Sequence, residues 1–530
     1  MLHNTKYLFS CISTTFRLHK HISSLYLPND FLRSFHSGFR SCKNANFLFN
    51  SLLRELNIDV SYLKEHPNTP DFSSPPQKRV TLINADNELS NEKYVGTGNE
   101  NRPPKFIEPH PPYPVHCAPV LDAKLLNKPS ALKKTYNITI DVSHYPLPQG
   151  TEWLVGGTIG VMAPNSDISV TRLLTALNIT MQDAIKPCIL ITSSGRWPSM
   201  WGENKPREIR TNIYELLRWT TDFLSQPPSK DLLQLLGFSS KDPLERLLIS
   251  QLMKRPSNLC YPNTSSYNIT VLQLLEMFPH STPSIDYLLS VLPQLMPRWY
   301  SMSNDPKLTP GSLEFAVTVQ EFKDLNNISY KGIGSGFLER LAQMVMSAKH
   351  NGKATSENVV LLPMYRGLQR NQFALNFKDK GPMILIGVGV GIAPFRGFVQ
   401  RRLSNPSNMG NIWIFQGCRD HTKDELFSED LRNISMNNQK VIKILAESRV
   451  GRKEHVQDAL KRNPGIVWDV INDKNGHIYL CGSGHGLVKD IEQVLLEVTM
   501  KYLKCTLQEA QQVMKEWQTT PPFKFIEEVW

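Results

Sequence analysis

The chain has 530 residues, 40 % of them hydrophobic and 20 % charged, with a net charge of +11. This is ordinary globular composition in a length beyond a single core of roughly 250 to 300 residues, so two or three domains are expected and a wholly disordered chain is excluded. No run of about 18 apolar residues suggests a helical membrane span, and the eight cysteines, scattered without a C-x-x-C pair, point away from a zinc or iron–sulfur site and towards a reducing compartment.

Residues 1–54 carry Lys6, Arg17, Lys20, Arg33, Arg40, Lys43 and Arg54 against the single acid Asp30. The stretch reads either as a mitochondrial-type presequence, with Arg40 and Ser41 near a cleavage zone, or as an unselected or misjoined start of the reading frame. The compartment expected is cytoplasmic, with a mitochondrial location as the alternative. Much of the positive excess collects here without a recognisable binding motif, so no nucleic-acid partner is expected. Residues 55–112 are polar and dotted with Pro70, Pro75, Pro76, Pro103, Pro104, Pro111 and Pro112, which predicts a linker.

From Tyr136 the pattern alternates strictly: Tyr136, Ile138, Ile140 and Val142 share one face of a half-buried antiparallel strand. Residues 207–290 place leucines at helical spacing, Leu232, Leu233, Leu235, Leu236 and then Leu244, Leu247, Leu248, Leu252, which predicts an all-helical insertion. Alternation returns at Leu313, Phe315, Val317 and Val319, so the helices interrupt an antiparallel β barrel spanning about 113–375. Over 376–530 short apolar strands, 383–386, 412–415, 441–445 and 478–480, alternate with helical segments. That rhythm predicts a doubly wound parallel sheet, and the fold class expected is α/β plus β barrel.

The strongest single signal runs from Ile384-Leu385-Ile386 through Gly387-Val388-Gly389-Val390-Gly391-Ile392 into Ala393-Pro394-Phe395-Arg396-Gly397-Phe398. A buried strand enters a glycine turn and then a helix, whose free N–H groups suit a pyrophosphate. This segment resembles the NADPH-binding loop of the ferredoxin–NADP reductase superfamily in its diflavin branch. Further segments match in order. Arg298-Trp299-Tyr300-Ser301 is similar to the R-x-Y-S element of that family, and Gly332-Ile333-Gly334-Ser335 to its G-x-x-[ST] element; both imply FAD contacts. Phe415-Gln416-Gly417-Cys418-Arg419 with Asp424-Glu425-Leu426-Phe427, and Ser448-Arg449 with Lys453, His455 and Gln457, resemble the segments that grip NADPH and its 2′-phosphate. His477-Ile478-Tyr479-Leu480-Cys481-Gly482-Ser483, with Asp490 downstream, resembles the Y-V-C-G-D strand end.

The resemblance implies FAD held by Arg298, Trp299, Tyr300, Ser301, Gly332, Ile333, Gly334, Ser335 and Trp530. It implies NADPH held by Lys133, Gly387, Gly389, Gly391, Cys418, Arg419, Ser448, Arg449, Lys453, His455, Gln457, Cys481 and Asp490, and catalytic roles for Ser301, Cys481, Glu528 and Trp530. The residue types suit the chemistry: a guanidinium forks onto phosphate, a tyrosine ring stacks on isoalloxazine, and a cationic cluster distinguishes NADPH from NADH. Four positions depart from the pattern: Val390 stands for threonine, His455 for tyrosine, Ser483 and Glu528 for aspartate. No metal site is expected.

The match extends over about residues 105–530 and is to members that reductively reactivate the cobalamin protein methionine synthase; reductases of haemoproteins are the alternative. The flavodoxin-like FMN domain of such enzymes is not recognisable in residues 1–112, where 95–98 only loosely echo its phosphate loop, so FMN is expected from a missing or separate flavodoxin-like domain. A non-catalytic relative is the remaining alternative: the altered Ser483, His455 and Glu528 favour it, and the intact Arg298, Tyr300, Ser301, Cys481 and Trp530 oppose it.

Overall fold

The computed structural model describes residues 72–85, 101–107, 115–193, 207–254, 269–323, 329–351, 359–367, 371–406 and 409–530. The basic stretch 1–54, much of 55–112 and residues 95–98 lie outside the described residues. In chain order the strands are β1 (Val80–Asn84), β2 (His116–Leu125), β3 (Thr135–Asp141), β4 (Thr158–Val161), β5 (Cys188–Thr192), β6 (Glu208–Thr211), β7 (Arg298–Ser301), β8 (Ser312–Thr318), β9 (Glu321–Lys323), β10 (Ser329–Lys331), β11 (Leu361–Arg366), β12 (Gly381–Val388), β13 (Met409–Cys418), β14 (Val441–Glu447), β15 (His477–Gly482) and β16 (Phe525–Val529).

Six strands form an antiparallel sheet in the order β7-β4-β11-β2-β3-β8. The alternation read at Tyr136, Ile138 and Ile140 puts these three side chains in its core, each almost wholly buried. An isolated bridge between Met302 and Phe315 brings the chain after β7 onto β8, so the two outer strands of the order meet. The first described long helix on this side, Ile333–His350, buries Phe337, Leu338, Leu341 and Ala342 against the same core.

A second core is built from helices α1 (Asp167–Ala176), α2 (Ile213–Trp219), α3 (Lys230–Ser239), α4 (Pro243–Lys254), α5 (Val271–Met277) and α6 (Ile285–Val291). The leucines at 232, 233, 235, 236, 247, 248 and 252 are its buried stripe. Two expectations change here. The insertion is not all-helical, because β6 opens it, and β6 joins β5 and β1 in a three-stranded antiparallel sheet. The expected linker supplies that sheet with β1 and supplies the core with Phe72, whose ring lies where a side chain on Gly237 would sit. A single short strand among prolines leaves no local signal, since its partner is fixed by tertiary pairing far downstream. Where the helical unit rejoins the sheet, the turn after α2 and the segment before β7 pair in a narrow neck: Thr221 bridges Gln294, Asp222 donates its N–H to Pro293, and Leu295 to Thr220.

The remaining five strands are parallel, in the order β14-β13-β12-β15-β16. Both faces of β12 are covered, as a continuous apolar run requires. Ile384 and Ile386 face a core with Val456, Ile491 and Trp517, while Met383 and Leu385 face one with Phe395, Phe398 and Leu431. The second of these cores also contains Val155, Ala316 and Phe373, so this face of the parallel sheet packs on the antiparallel one. Among the described residues no helix is long and apolar enough to cross a membrane.

Candidate functional site

The helix α7 (Ile333–His350) begins at Gly332 with no side-chain cap and no acid in its first turn. Its first N–H groups and the positive end of its dipole are therefore open to an anion. Two residues of β7 lie against this start: a Cβ on Gly334 would stand 2.7 Å from Cγ of Arg298 and 3.0 Å from the hydroxyl oxygen of Tyr300. Only glycine permits that approach, so the R-x-Y-S and G-x-x-[ST] segments, distant in sequence, form one cradle. The hydroxyl of Ser335 accepts the N–H of Gln320 at 3.1 Å, which anchors the helix start to the connection between β8 and β9. Tyr300 packs on Phe315 with ring centroids 5.4 Å apart, and burial pushes its phenol pKa up. Trp299, on the opposite side of β7, is 39 % exposed and meets the ring of Tyr365 edge-on. A cleft opens beside Gly332, lined by Leu224, Ser225, Thr270, Phe322, Tyr330 and Lys331. Anionic, aromatic-ended ligands such as FAD fit this donor set.

At the carboxyl end of β12 the chain turns through Gly389–Ile392 into helix α9 (Ala393–Leu403), with proline in its first turn. Gly389 adopts φ 56° with open space around its Cα, and a Cβ on Gly391 would stand 2.2 Å from the carbonyl oxygen of Cys481. The loop thus lies between β12 and β15, where the strand order reverses, which is the place a doubly wound sheet offers a nucleotide. Cys418 and Ser448 are joined by a backbone bond of 3.0 Å, and Arg449 N–H donates to Arg419. Arg449, Arg452 and Lys453 are exposed, and among the described residues no carboxylate pairs with them. Gln457 donates to Asp490 at 3.0 Å, and His455 donates its backbone N–H to Asp458. Burial, with Glu447 adding to it, pushes the Cys418 thiol up to about 12, so it stays neutral. Lys133 stands apart from this group. It reaches Gln320, whose carbonyl takes the Gly332 N–H, on the side of the α7 start.

Cys481 and Glu528 are partners in the β15–β16 register. Cys481 is fully buried, and burial followed by the nearby Glu528 holds its thiol far above the usual value, so it packs as a neutral group and not as a thiolate. Glu528 accepts the N–H of Phe373 at 3.3 Å, in the first turn of α8 (Gln372–Asn376). Burial pushes its carboxyl up to about 7 against the lowering effect of those backbone donors. Asn371, which caps that turn, donates to Gly156 at 2.6 Å, and Met302, next to Ser301, donates to Gly157. A continuous path of contacts therefore joins Ser301 to Cys481 and Glu528. Trp530 is held by its backbone between Gly482 and Gly484, with its ring 58 % exposed.

Some contributors had no sequence signal. Asp305, fully buried, takes a two-pronged contact from Arg401 and donates its N–H to Gln400. Arg396 reaches Glu314 at 3.0 Å and Asp430 at 2.8 Å. The contacts to Asp305 and Glu314 fasten α9, and with it the glycine loop, to the antiparallel side, while Asp430 belongs to the helix Ser428–Asn437 of the parallel half. Asp222 and Ser225, in the neck of the helical unit, contact Arg298. Their partners become visible only after folding.

Comparison with known proteins gives two matching family models, an FAD binding domain over residues 109–337 and an oxidoreductase NAD-binding domain over 385–493. An uncharacterized FAD-binding protein of Schizosaccharomyces pombe is 43 % identical over 517 residues, covering 96 % of this chain and 87 % of that one. Human methionine synthase reductase is 27 % identical over 441 residues, 79 % of this chain and 61 % of that one. The NADPH–cytochrome P450 reductase of Rattus norvegicus is 28 % identical over 298 residues, 55 % of this chain and 40 % of that one.

Proposed function

The chain belongs to a family of FAD-binding oxidoreductases that join an FAD-binding domain to an oxidoreductase NAD-binding domain, and from that premise we propose that it carries electrons from NADPH through FAD to methionine synthase. The observation that carries the hydride step is the seam between the two sheets. Gly391 lies on the Cys481 carbonyl, Glu528 stands beside Cys481, and contacts run on through Phe373, Asn371 and Gly157 to Ser301.

When bound, FAD would accept the hydride of NADPH and release the electrons one at a time. The chain's own residues do the rest. Arg298 and the open start of α7 hold the pyrophosphate. Tyr300, Trp299 and Ser301 border the ring system, and the ring of Trp530 covers the face that the nicotinamide must reach. Arg419, Ser448, Arg449 and Lys453 give charge-assisted contacts to the 2′-phosphate, which NADH lacks. Cys481 keeps the hydride path narrow and dry, and Glu528 holds a proton near neutral pH beside it.

Methionine synthase as acceptor rests on a likeness that extends over 79 % of this chain, against 55 % for the P450 reductase. The test is purification followed by two assays. The protein is expected to be yellow with about one FAD per chain, to reduce ferricyanide with NADPH, and to reactivate methionine synthase with S-adenosylmethionine once a flavodoxin is added. A folded, colourless protein that FAD cannot reconstitute would overturn the flavin reading. Haem-protein reduction without reactivation would move the acceptor to the P450-reductase class.

A further inference from the structure

Among the described residues, the helical unit borders the flavin cradle at the turn Asp222–Ser225 of its neck and, beside it, at Thr270. Asp222 is 1 % exposed. Its Oδ1 accepts the N–H groups of Leu224 at 3.2 Å and Ser225 at 2.8 Å, and its Oδ2 takes the Ser225 hydroxyl. The same Oδ2 lies 3.4 Å from Nη2 of Arg298, which is also 3.4 Å from Oγ of Ser225, while Nη1 of Arg298 donates to the Met296 carbonyl. A buried carboxylate without a cation is costly, and a cation placed against the positive end of a helix is repelled by it. Each cost is met by the other group, because Asp222 fixes the guanidinium from behind while its stem lies across Gly334. Of the five guanidinium N–H donors, the contacts to Met296, Asp222 and Ser225 occupy three and leave Nε–H and the second Nη1–H for a ligand at the helix start.

Resting on the reading of this cradle as the FAD pyrophosphate site, we propose that Asp222 is a positioning residue for FAD, acting through Arg298, so that the helical unit is part of the flavin site and not merely a spacer. Leu224 and Ser225 of the same turn line the cleft that opens beside Gly332, which puts the turn on the ligand side of the neck.

Asp222→Asn keeps an acceptor for the two backbone N–H groups and removes the charge that faces Arg298. The test is a double-mutant cycle on the full chain stripped of flavin, with FAD affinity read from the quenching of flavin fluorescence and folding from circular dichroism. Asp222→Asn should weaken FAD about tenfold in the wild-type background and less than about twofold in an Arg298→Met background. Ser225→Ala, which leaves the carboxylate in place, should weaken FAD about threefold and also lose its effect beside Arg298→Met; it supplies the cycle should Asp222→Asn not fold. Unchanged affinity, or losses that add fully to that of Arg298→Met, would mean that the turn only supports the fold and would overturn the proposal. A wild-type chain that takes up no FAD would instead remove the flavin reading, and this proposal with it.

Discussion

The two halves of the seam are assembled in opposite ways. On the parallel side, β12, β13 and β14 follow one another in the chain and pair in turn, each joined to the next by a helix that packs on the sheet. On the antiparallel side, β4 lies between β7 and β11, and the whole helical unit separates β4 from β7 in sequence. The parallel half depends on glycines at one loop, where backbone meets backbone. The antiparallel half depends on charged side chains, such as Arg298 with Asp222, that hold distant segments together. Substitutions should therefore act on them differently.

The largest effect is expected at Gly391. A valine there would drive its Cβ into the Cys481 carbonyl and the Gly482 nitrogen, backbone atoms that cannot swing aside. NADPH-dependent reduction of ferricyanide should fall by about a thousandfold or more, as steric conflicts of several kcal/mol imply, with bound FAD unchanged by absorption. Loss of FAD together with activity would show that the halves are not separable in this sense.

A smaller effect is expected at Glu528, where the halves touch. Its folded carboxyl titrates at about 7, above the 4.5 of a free glutamate. The sign follows from linkage: a raised folded pKa gives stability that is present below about 4.5 and is lost as pH rises through about 7. Glu528→Gln should consequently be more stable than the wild type near pH 8, by up to about 3 kcal/mol, and equal to it at about pH 4. Urea unfolding of the flavin-free chain at both pH values measures the gap. A gap independent of pH would mean that the carboxylate is not desolvated by the seam.

The smallest of the three concerns Arg449, exposed at the far edge of the nucleotide crevice. Arg449→Ala should cost about 2 kcal/mol of NADPH recognition, a drop of about thirtyfold in kcat/KM for NADPH, with NADH kinetics unchanged. Equal losses for both nucleotides would place the guanidinium at the part of the ligand they share, not at the 2′-phosphate.

How far the sequence speaks differs between the halves for the same reason. Four of the five parallel strands were legible because their signals are local: an apolar strand, a glycine turn and a helix start lie within Ile384–Phe398, and the fully buried run Met383, Ile384, Leu385 and Ile386 faces two cores in turn, whereas β16, after the last helix, was not legible as a strand. The strand at Tyr136 and the leucine stripes of the helical unit were legible on the same terms. The type of each cradle residue was also readable, since Arg298, Tyr300 and Gly334 stand in recognisable segments. Only the tertiary structure decided the rest. The pairing of β1 with β5, the return of Asp222 to Arg298, the clamp of Arg401 on Asp305 and the stacking of Gly391 on Cys481 each join residues that are remote in the chain. A charge or a glycine carries no record of its partner's position; that partner is set when burial and strand register bring the two segments together and the buried groups must be satisfied.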